Sequence, residues 1–455
     1  MFKTLVGDKA FYKRLILLML PIMVQNGFTN FVNMLDNIMI GTVGTAQMTG
    51  VAVANQLIFV FNLCIFGAVS GAGIFGTQFF GSGDHEGVRH TFRFKFLFCG
   101  LITIAGILLF LFYGEPLLKL YMQGDQGVTD AAATLHFAKD YLLIMLVGLL
   151  PYTIVQCYSS TLRESANPTP PMVAGVAAVL VNLVMNYILI FGKFGAPALG
   201  VNGAAIATVI SRFVELAVIV VWAHRFPFMH GVYRTLYVPR KRIAQLFING
   251  LPLMVNETLW ASGVALVNQC YSMRGLDAVA AGNISQTFWN VFSIAYMAVG
   301  NAVGIILGQM LGAGKLKEAK ESSYKMISFS FVIAVCIGVV YSICAKFIPM
   351  VYNTEPEIRE LATLLMRITA ITMPFEALTH ASYFTLRSGG KMMITLIFDS
   401  GFMWCVNVLL AFTLSRFTTL SFVWMFAIIH FATLVKALFG ILLVRRGSWI
   451  KNIVS

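Results

Sequence analysis

The sequence predicts an all-α integral membrane protein of about twelve transmembrane helices arranged as two pseudo-symmetric six-helix bundles. Three observations carry that prediction: an end-to-end apolar excess, a succession of apolar runs of spanning length, and an internal repeat that divides the chain in two. Of the 455 residues, 58% are hydrophobic and 11% are charged, against about 25% charged in a soluble domain. The excess is not confined to one segment, so lipid rather than water is the solvent for most of the chain.

A helix needs about 20 mostly apolar residues to cross a bilayer. On that measure the spans fall at 15–40, 51–80, 94–113, 141–162, 172–191 and 200–222, then at 243–271, 278–311, 326–348, 361–386, 392–414 and 420–444. The basic start (Lys9, Lys13, Arg14) leads into an apolar run long enough to span, with no small-residue cleavage site. It reads as a first helix, not a removed signal peptide.

Charge sets the orientation. With the N-terminus in the cytoplasm, about 22 of the 32 Lys and Arg residues fall in cytoplasmic segments and about 8 in outer loops, the bias expected of a membrane protein. An even number of spans then puts the C-terminus inside as well, in a multi-pass protein of the cell (inner) membrane. The net charge of +13 has the same origin: its basic residues form short clusters between apolar runs. No continuous basic face exists, so nucleic acid is not an expected partner. The longest cytoplasmic connector, 224–242, carries Arg225, Arg234, Arg240, Lys241 and Arg242 at mid-chain. The expected organisation is an N-terminal six-helix lobe at 1–223, a linker at 224–242 and a C-terminal six-helix lobe at 243–455. The seven cysteines form no C-x-x-C pair and no zinc spacing, and read as free thiols between helices.

The repeat is visible residue by residue. A gap-free shift of 231 positions superposes Leu20-Pro21 on Leu251-Pro252, Met23-Val24 on Met254-Val255 and Asn37 on Asn268. It goes on through Val60-Phe61 with Val291-Phe292, Gln78 with Gln309, Gly81 with Gly312 and Gly83 with Gly314. Farther on the shift shortens, and Pro151 answers Pro374 while Leu162-Arg163 answers Leu386-Arg387. Six spans per half make both halves enter the membrane in the same direction. They are expected to be related by a pseudo-two-fold axis along the membrane normal, an arrangement suited to alternating access.

Two glycine motifs look like nucleotide sites and are not. Gly71-x-Gly73-x-x-Gly76 lies inside a span with no strand before it, and reads as small-residue helix packing. Gly312, Gly314 and Lys315 lack the P-loop spacing. With no H-E-x-x-H, no G-x-S-x-G and no metal cluster, an enzyme is not expected, and neither is a cofactor.

The informative residues are acids within spans: Asp36 in the first, Glu257 in the seventh, Glu376 in the tenth and Asp399 in the eleventh. Each costs roughly 2.5–3.5 kcal/mol at a helix centre, so it should face protein or a wet cavity and serve an ion or substrate. A purely structural hydrogen-bonding role is the alternative, and weighs most at Asp399 beside Ser400 and Gly401. Arg212 and Glu215, three apart, are placed to pair on one helix face. His430 and Lys436 show no evident partner, and Lys436, near the cytoplasmic end, reads as snorkelling. Pro21, Pro252, Pro151 and Pro374 interrupt spans and kink them. Among 38 Phe and 23 Met residues, a polarizable lining for varied cargo is available.

Several runs resemble the multidrug and toxic compound extrusion (MATE) transporters. Pro21 through Leu35-Asp36-Asn37-Ile38-Met39-Ile40-Gly41 is similar to that family's first-helix signature. Asn182-x-x-x-Asn186, Phe191-Gly192-Lys193-Phe194-Gly195-Ala196-Pro197 and Leu199-Gly200-Val201-x-Gly203-Ala204-Ala205 look like its fifth-to-sixth helix stretch. Gly250-Leu251-Pro252-x-x-x-Asn256-Glu257 and Leu386-Arg387-Ser388-Gly389-Gly390-Lys391 resemble its seventh- and tenth-helix segments. The resemblance covers essentially the whole chain. It implies antiport of small organic, often cationic compounds against protons or sodium, by a monomer in the lipid bilayer. It implies ion-coupling or substrate roles for Asp36, Glu257, Glu376, Asp399, Asn182, Asn186 and Asn256, with sodium, if that is the ion, at Glu257 and Glu376. Asn186 stands where certain members carry an acid, which moves the expectation towards Glu257 and Glu376. A lipid-linked precursor flippase of the same superfamily is the alternative, though its anionic cargo suits a cationic cleft. A polytopic membrane enzyme would need a nucleophile or metal constellation that the sequence lacks.

The charge asymmetry makes one prediction. Single cysteines placed within 224–242 should resist an impermeant thiol reagent added to intact cells and react once the membrane is opened. Labelling in intact cells would reverse the orientation.

Overall fold

Lipid offers the backbone no hydrogen-bonding partner, so each apolar run closes its own i to i−4 bonds and becomes a helix. The structure, a computed structural model, describes residues 5–122, 131–352 and 354–454. The first six helices are α1 (Lys9–Gly41), α2 (Thr45–Ser82), α3 (His85–Met122), α4 (Ala131–Glu164), α5 (Thr169–Phe191) and α6 (Gly200–Ala223). The next five are α7 (Arg240–Ser272), α8 (Leu276–Phe292), α9 (Ile294–Gly312), α10 (Leu316–Cys344) and α11 (Pro356–Ser388). Then come α12 (Met392–Phe417) and α13 (Phe422–Arg446). Among the described residues, eleven helices are long and apolar enough to cross a membrane. The 33-residue α7 is the remaining helix of full spanning length. It falls short on composition because Asn249, Asn256, Glu257, Asn268 and Gln269 dilute it.

Two predicted spans change form. The run at 278–311 breaks at Ser293 into α8 and α9. There the Ser293 hydroxyl donates to Asn290 O at 3.3 Å, a local bond that competes with the helix ladder. Helix α12 widens into π-helical turns at Ile397–Gly401 and Met403–Val408. Pro21, Pro151, Pro252 and Pro374 all lie inside helices, as expected. Helix α5 stops where Gly192 turns left-handed (φ 67°) and donates its N–H to Ile188 O.

The chain forms two compact units. One holds Val24–Gly76 and His85–Gly250; the other holds Met1–Met23, Thr77–Asp84 and Leu251–Ser455. Helices α1 and α7 each pass from one unit to the other next to their prolines, Pro21 and Pro252.

Within the N-terminal unit the glycine motif acquires a purpose. Lys95 on α3 is fully buried, and its Nζ lies 2.6 Å from both carboxylate oxygens of Glu164 at the end of α4. It also donates to Ser160 Oγ at 2.9 Å. A Cβ at Gly73 or Gly76 would strike that carboxylate. Gly73 and Gly76 therefore make room for an ion pair. The 224–242 connector is folded onto the same unit rather than left as a free tether. Arg93 Nε donates to Val232 O at 2.8 Å, and the Tyr158 and Tyr233 hydroxyls stand 2.6 Å apart.

Within the C-terminal unit the ends of α2 and α9 cross reciprocally. A Cβ at Gly81 would meet the backbone of Gln309, and one at Gly312 the backbone of Gln78. Gln78 and Gln309, like Gly81 and Gly312, are repeat equivalents, so the contact is the self-complementary kind that a two-fold relation produces. The chain's last turn closes on this crossing. Gln78 Nε2 donates to Ser388 O (2.9 Å) and Lys451 O (3.2 Å), and its Oε1 accepts from the Ile453 N–H (2.9 Å). Trp449 is fully buried, with its carbonyl against Gly389.

Glu164→Ala should leave the Lys95 ammonium buried without a counter-charge, at a cost of about 3–5 kcal/mol. The expected readout is a lower Tm in detergent and less folded protein, with most of the loss recovered in Lys95→Met/Glu164→Gln. A single variant as stable as the parent would show that the pair does not hold the helices.

Candidate functional site

The intramembrane acids sort into separate networks, one in each unit. In the N-terminal unit, Asn182 and Asn186 stand one turn apart on α5, and so share a face. Both are buried, at 6% and 1% exposure, and they face Asp36 on α1. Asn186 Nδ2 donates to Asp36 Oδ1 at 2.5 Å. With its Nδ2 turned to the carboxylate, Asn182 donates to Oδ1 and Oδ2 at 3.1 and 3.0 Å and accepts from Thr208 Oγ1 of α6 at 3.3 Å. That orientation is the one that avoids setting an amide oxygen against carboxylate oxygens. Asn186 Oδ1 is buried with no hydrogen-bond partner among the described residues. An open carbonyl lone pair thus stands beside a carboxylate. The side chains of Asn37 and Ile38, next along α1, lie outside the described residues.

In the C-terminal unit, Glu376, His380, Tyr383 and Arg387 recur on one face of α11. Glu376 Oε2 accepts from Trp289 Nε1 of α8 and from the Tyr296 hydroxyl of α9, both at 3.0 Å. Its Oε1 lies 3.8 Å from His430 Nδ1 of α13. The break at Ser293 separates the helices that supply Trp289 and Tyr296. The Tyr383 hydroxyl donates to Glu257 Oε1 at 3.3 Å and accepts from the wholly buried Asn256, also at 3.3 Å. Asn256 Nδ2 also donates to Asp399 Oδ2 at 3.1 Å. Ser400 Oγ donates to Asn256 O and Oδ1 at 2.8 and 2.7 Å. Asp399 and Ser400 sit on the first π-helical turn of α12, a distortion that recurs at functional sites.

Two expectations change here. Lys436 does not snorkel: its Nζ lies 2.7 Å from Asp399 Oδ1, with side chains 11% and 18% exposed. Arg212 and Glu215 attract each other as charges but form no hydrogen bond among the described residues; Arg212 donates to Gly148 O at 3.1 Å and lies over the Tyr152 ring at 5.0 Å. The structure brings Asn256, Glu257 and Asp399 into one network, with Glu376 beside it on α11. Asp36, Asn182 and Asn186 form the other. Sequence reasoning missed the carboxylate donors Trp289, Tyr296 and Tyr383, which nothing distinguishes from other aromatics in spans. It also missed Lys95 and Glu164, although Glu164 directly follows the repeated Leu162-Arg163 pair. Among the described residues no group of three or more His, Cys, Asp or Glu side chains is placed to hold a metal. A cavity of about 300 Å³ lies elsewhere in the N-terminal unit, lined by Val43, Gln47, Phe137, Leu199 and Asn202, and holds none of the acids.

The MatE family model matches residues 21–188 and again 252–413. The two matches start 231 residues apart, at Pro21 and Pro252, which is the register of the repeat. The probable multidrug resistance protein NorM of Thermotoga maritima is 26% identical over 97% of this chain and 94% of its own length. The multidrug resistance protein MdtK of Pectobacterium atrosepticum is 25% identical, over 79% and 78%. The crystal structure of a MATE protein in complex with MaL6 superposes with a TM-score of 0.87 at 17% identity, covering 98% of both chains. With the family model matched over most of its length, in two copies and on this all-helical fold, the chain belongs to the MatE family and is a multi-pass membrane transporter.

Proposed function

We propose that this chain is a cation-coupled antiporter that exports small organic, mainly cationic compounds by alternating access. The reading rests on how the buried acids are partnered. Asp399 and Glu164 each face a lysine ammonium at hydrogen-bond distance. Asp36, Glu257 and Glu376 make no ion pair with Lys or Arg among the described residues. Their donors are the neutral amides of Asn182 and Asn186, the Tyr383 hydroxyl, and Trp289 with Tyr296. A carboxylate that a protein keeps inside a membrane with no Lys or Arg in direct contact is available to a mobile cation. The names of the NorM and MdtK relatives support the cargo class.

In this mechanism a proton or a sodium ion enters from outside and neutralises Asp36, Glu257 or Glu376, which releases the cargo. Facing inward, the acids lose that ion, and the bared charge holds a cationic compound. Access alternates between the two sides of the cell membrane, with both termini cytoplasmic and the protein acting as a monomer.

Glu257→Gln and Glu376→Gln test the reading. Glutamine keeps the size and the acceptor oxygen for Tyr383, Trp289 and Tyr296, but takes no proton and offers no charge to sodium. Each variant should fold with a parental Tm yet lose gradient-driven efflux of a cationic dye from proteoliposomes by roughly 5–150-fold, the range of a typical coupling free energy. If both pump like the parent, coupling resides at Asp36, and Asp36→Asn should abolish it. If neither folds, these acids are structural.

A further inference from the structure

Resting on the reading of Glu257 and Glu376 as coupling acids, we propose that Lys436 closes the C-terminal site to sodium, so that this cluster is loaded by protons. The argument begins with the ligands a sodium ion needs. A hard cation is held by several converging oxygen lone pairs, whereas a proton needs one oxygen. Asp399, the acid nearest the Asn256–Glu257 pair, already has both oxygens engaged. Lys436 Nζ sits 2.7 Å from Oδ1, and Asn256 Nδ2 lies 3.1 Å from Oδ2. The ammonium thus stands where a sodium ion bound to this carboxylate would stand.

One oxygen of Glu376 is likewise taken by donors. Trp289 Nε1 has a hydrogen and no lone pair, and with the Tyr296 hydroxyl it occupies Glu376 Oε2. The remaining oxygen, Oε1, faces the ring nitrogen of His430 at 3.8 Å, a distance that suits a passing proton better than an oxygen-coordinated ion. The Asn256 carbonyl, the one neutral oxygen of the α7 pair, is taken by Ser400.

Repulsion from a fixed ammonium opposes an added sodium ion and an added proton alike, so charge alone does not separate them. The ligand shell does. The charged and titratable groups around Glu257 and Glu376 are Tyr296 on α9, Tyr341 on α10, His380, Tyr383 and Arg387 on α11, Asp399 on α12, and His430 and Lys436 on α13. Arg387 and Lys436 are the two fixed cations, and Lys436 is the one seated on a carboxylate. The N-terminal unit differs in having no ammonium on its acid among the described residues: Asp36 is met by the neutral amides of Asn182 and Asn186, and the Asn186 Oδ1 beside it is open.

The test removes the other acid first. In an Asp36→Asn background, purified protein should show no rise in Tm in roughly 0.3 M NaCl over the same concentration of KCl. Adding Lys436→Met, or Lys436→Gln to keep a donor at Asp399, should create a sodium-dependent rise of about 2 °C or more, and Asp399→Asn should abolish it. A sodium response with Lys436 intact that disappears in Glu376→Gln would overturn the proposal. So would a Lys436-substituted protein that ignores sodium. The efflux assays on Glu257→Gln and Glu376→Gln report separately on whether these acids couple at all, so the ion assignment can fail while the coupling reading stands.

Discussion

A lipid interior gives a polar group no water to turn to, and every feature of this chain is arranged around that. The backbone answers with helices, which satisfy themselves. Side chains need partners from other helices, and the distances show where these come from. Lys95 finds Glu164, Ser160 and Thr161; Lys436 finds Asp399; Arg93 finds the backbone of the folded 224–242 connector. Burial of these three charges is tolerated because each is met by a counter-charge or by several dipoles.

Glycine is the second half of the same arrangement, because a carboxylate or an imidazole between close-packed helices needs a missing Cβ. Gly73 and Gly76 leave space for the Glu164 carboxylate, and Gly300 leaves space for the His380 ring. In the C-terminal unit the reciprocal pair Gly81 and Gly312 lets two helix ends meet backbone to backbone. In a motif that looks like a phosphate-binding fingerprint in one dimension, two glycines are thus vacancies for a charged neighbour in three, and the first, Gly71, admits the backbone of Gly250.

How far the sequence could be read depended on how local each feature is. Apolar runs and prolines act within one helix, so the spans, the prolines inside them and the repeat were legible; the repeat register even set the starts of the two family matches. The acids Asp36, Glu257, Glu376 and Asp399 announced themselves by their cost in lipid. Their partners did not, because Trp289, Tyr296 and Tyr383 resemble any aromatic residue in a span until the fold sets them against a carboxylate. Lys436 was misread for a related reason. A lone lysine near a helix end ordinarily snorkels, and only the π-helical turn that carries Asp399 on α12 shows that this one stays inside. The break at Ser293 left no trace either, since Asn62, its repeat counterpart, sits in an unbroken α2.

That last difference shows how two copies of one sequence pattern came to hold different chemistry. Asn256 and Gln25 are equivalent by the repeat, and both are amides. Yet Asn256 donates to Asp399 while Gln25 accepts from Arg163 at 2.6 Å and lies against Gly175. An amide can serve either end of a hydrogen bond, so the position survives duplication while its electrostatic partner changes sign. In the C-terminal unit the amide joins an acid, a lysine and a second acid into one network. In the N-terminal unit its counterpart cradles a guanidinium, and the acid site is built instead at Asp36, from α1, α5 and α6. The repeat therefore duplicated a scaffold of proline-bearing helices, and each copy filled it with its own charges.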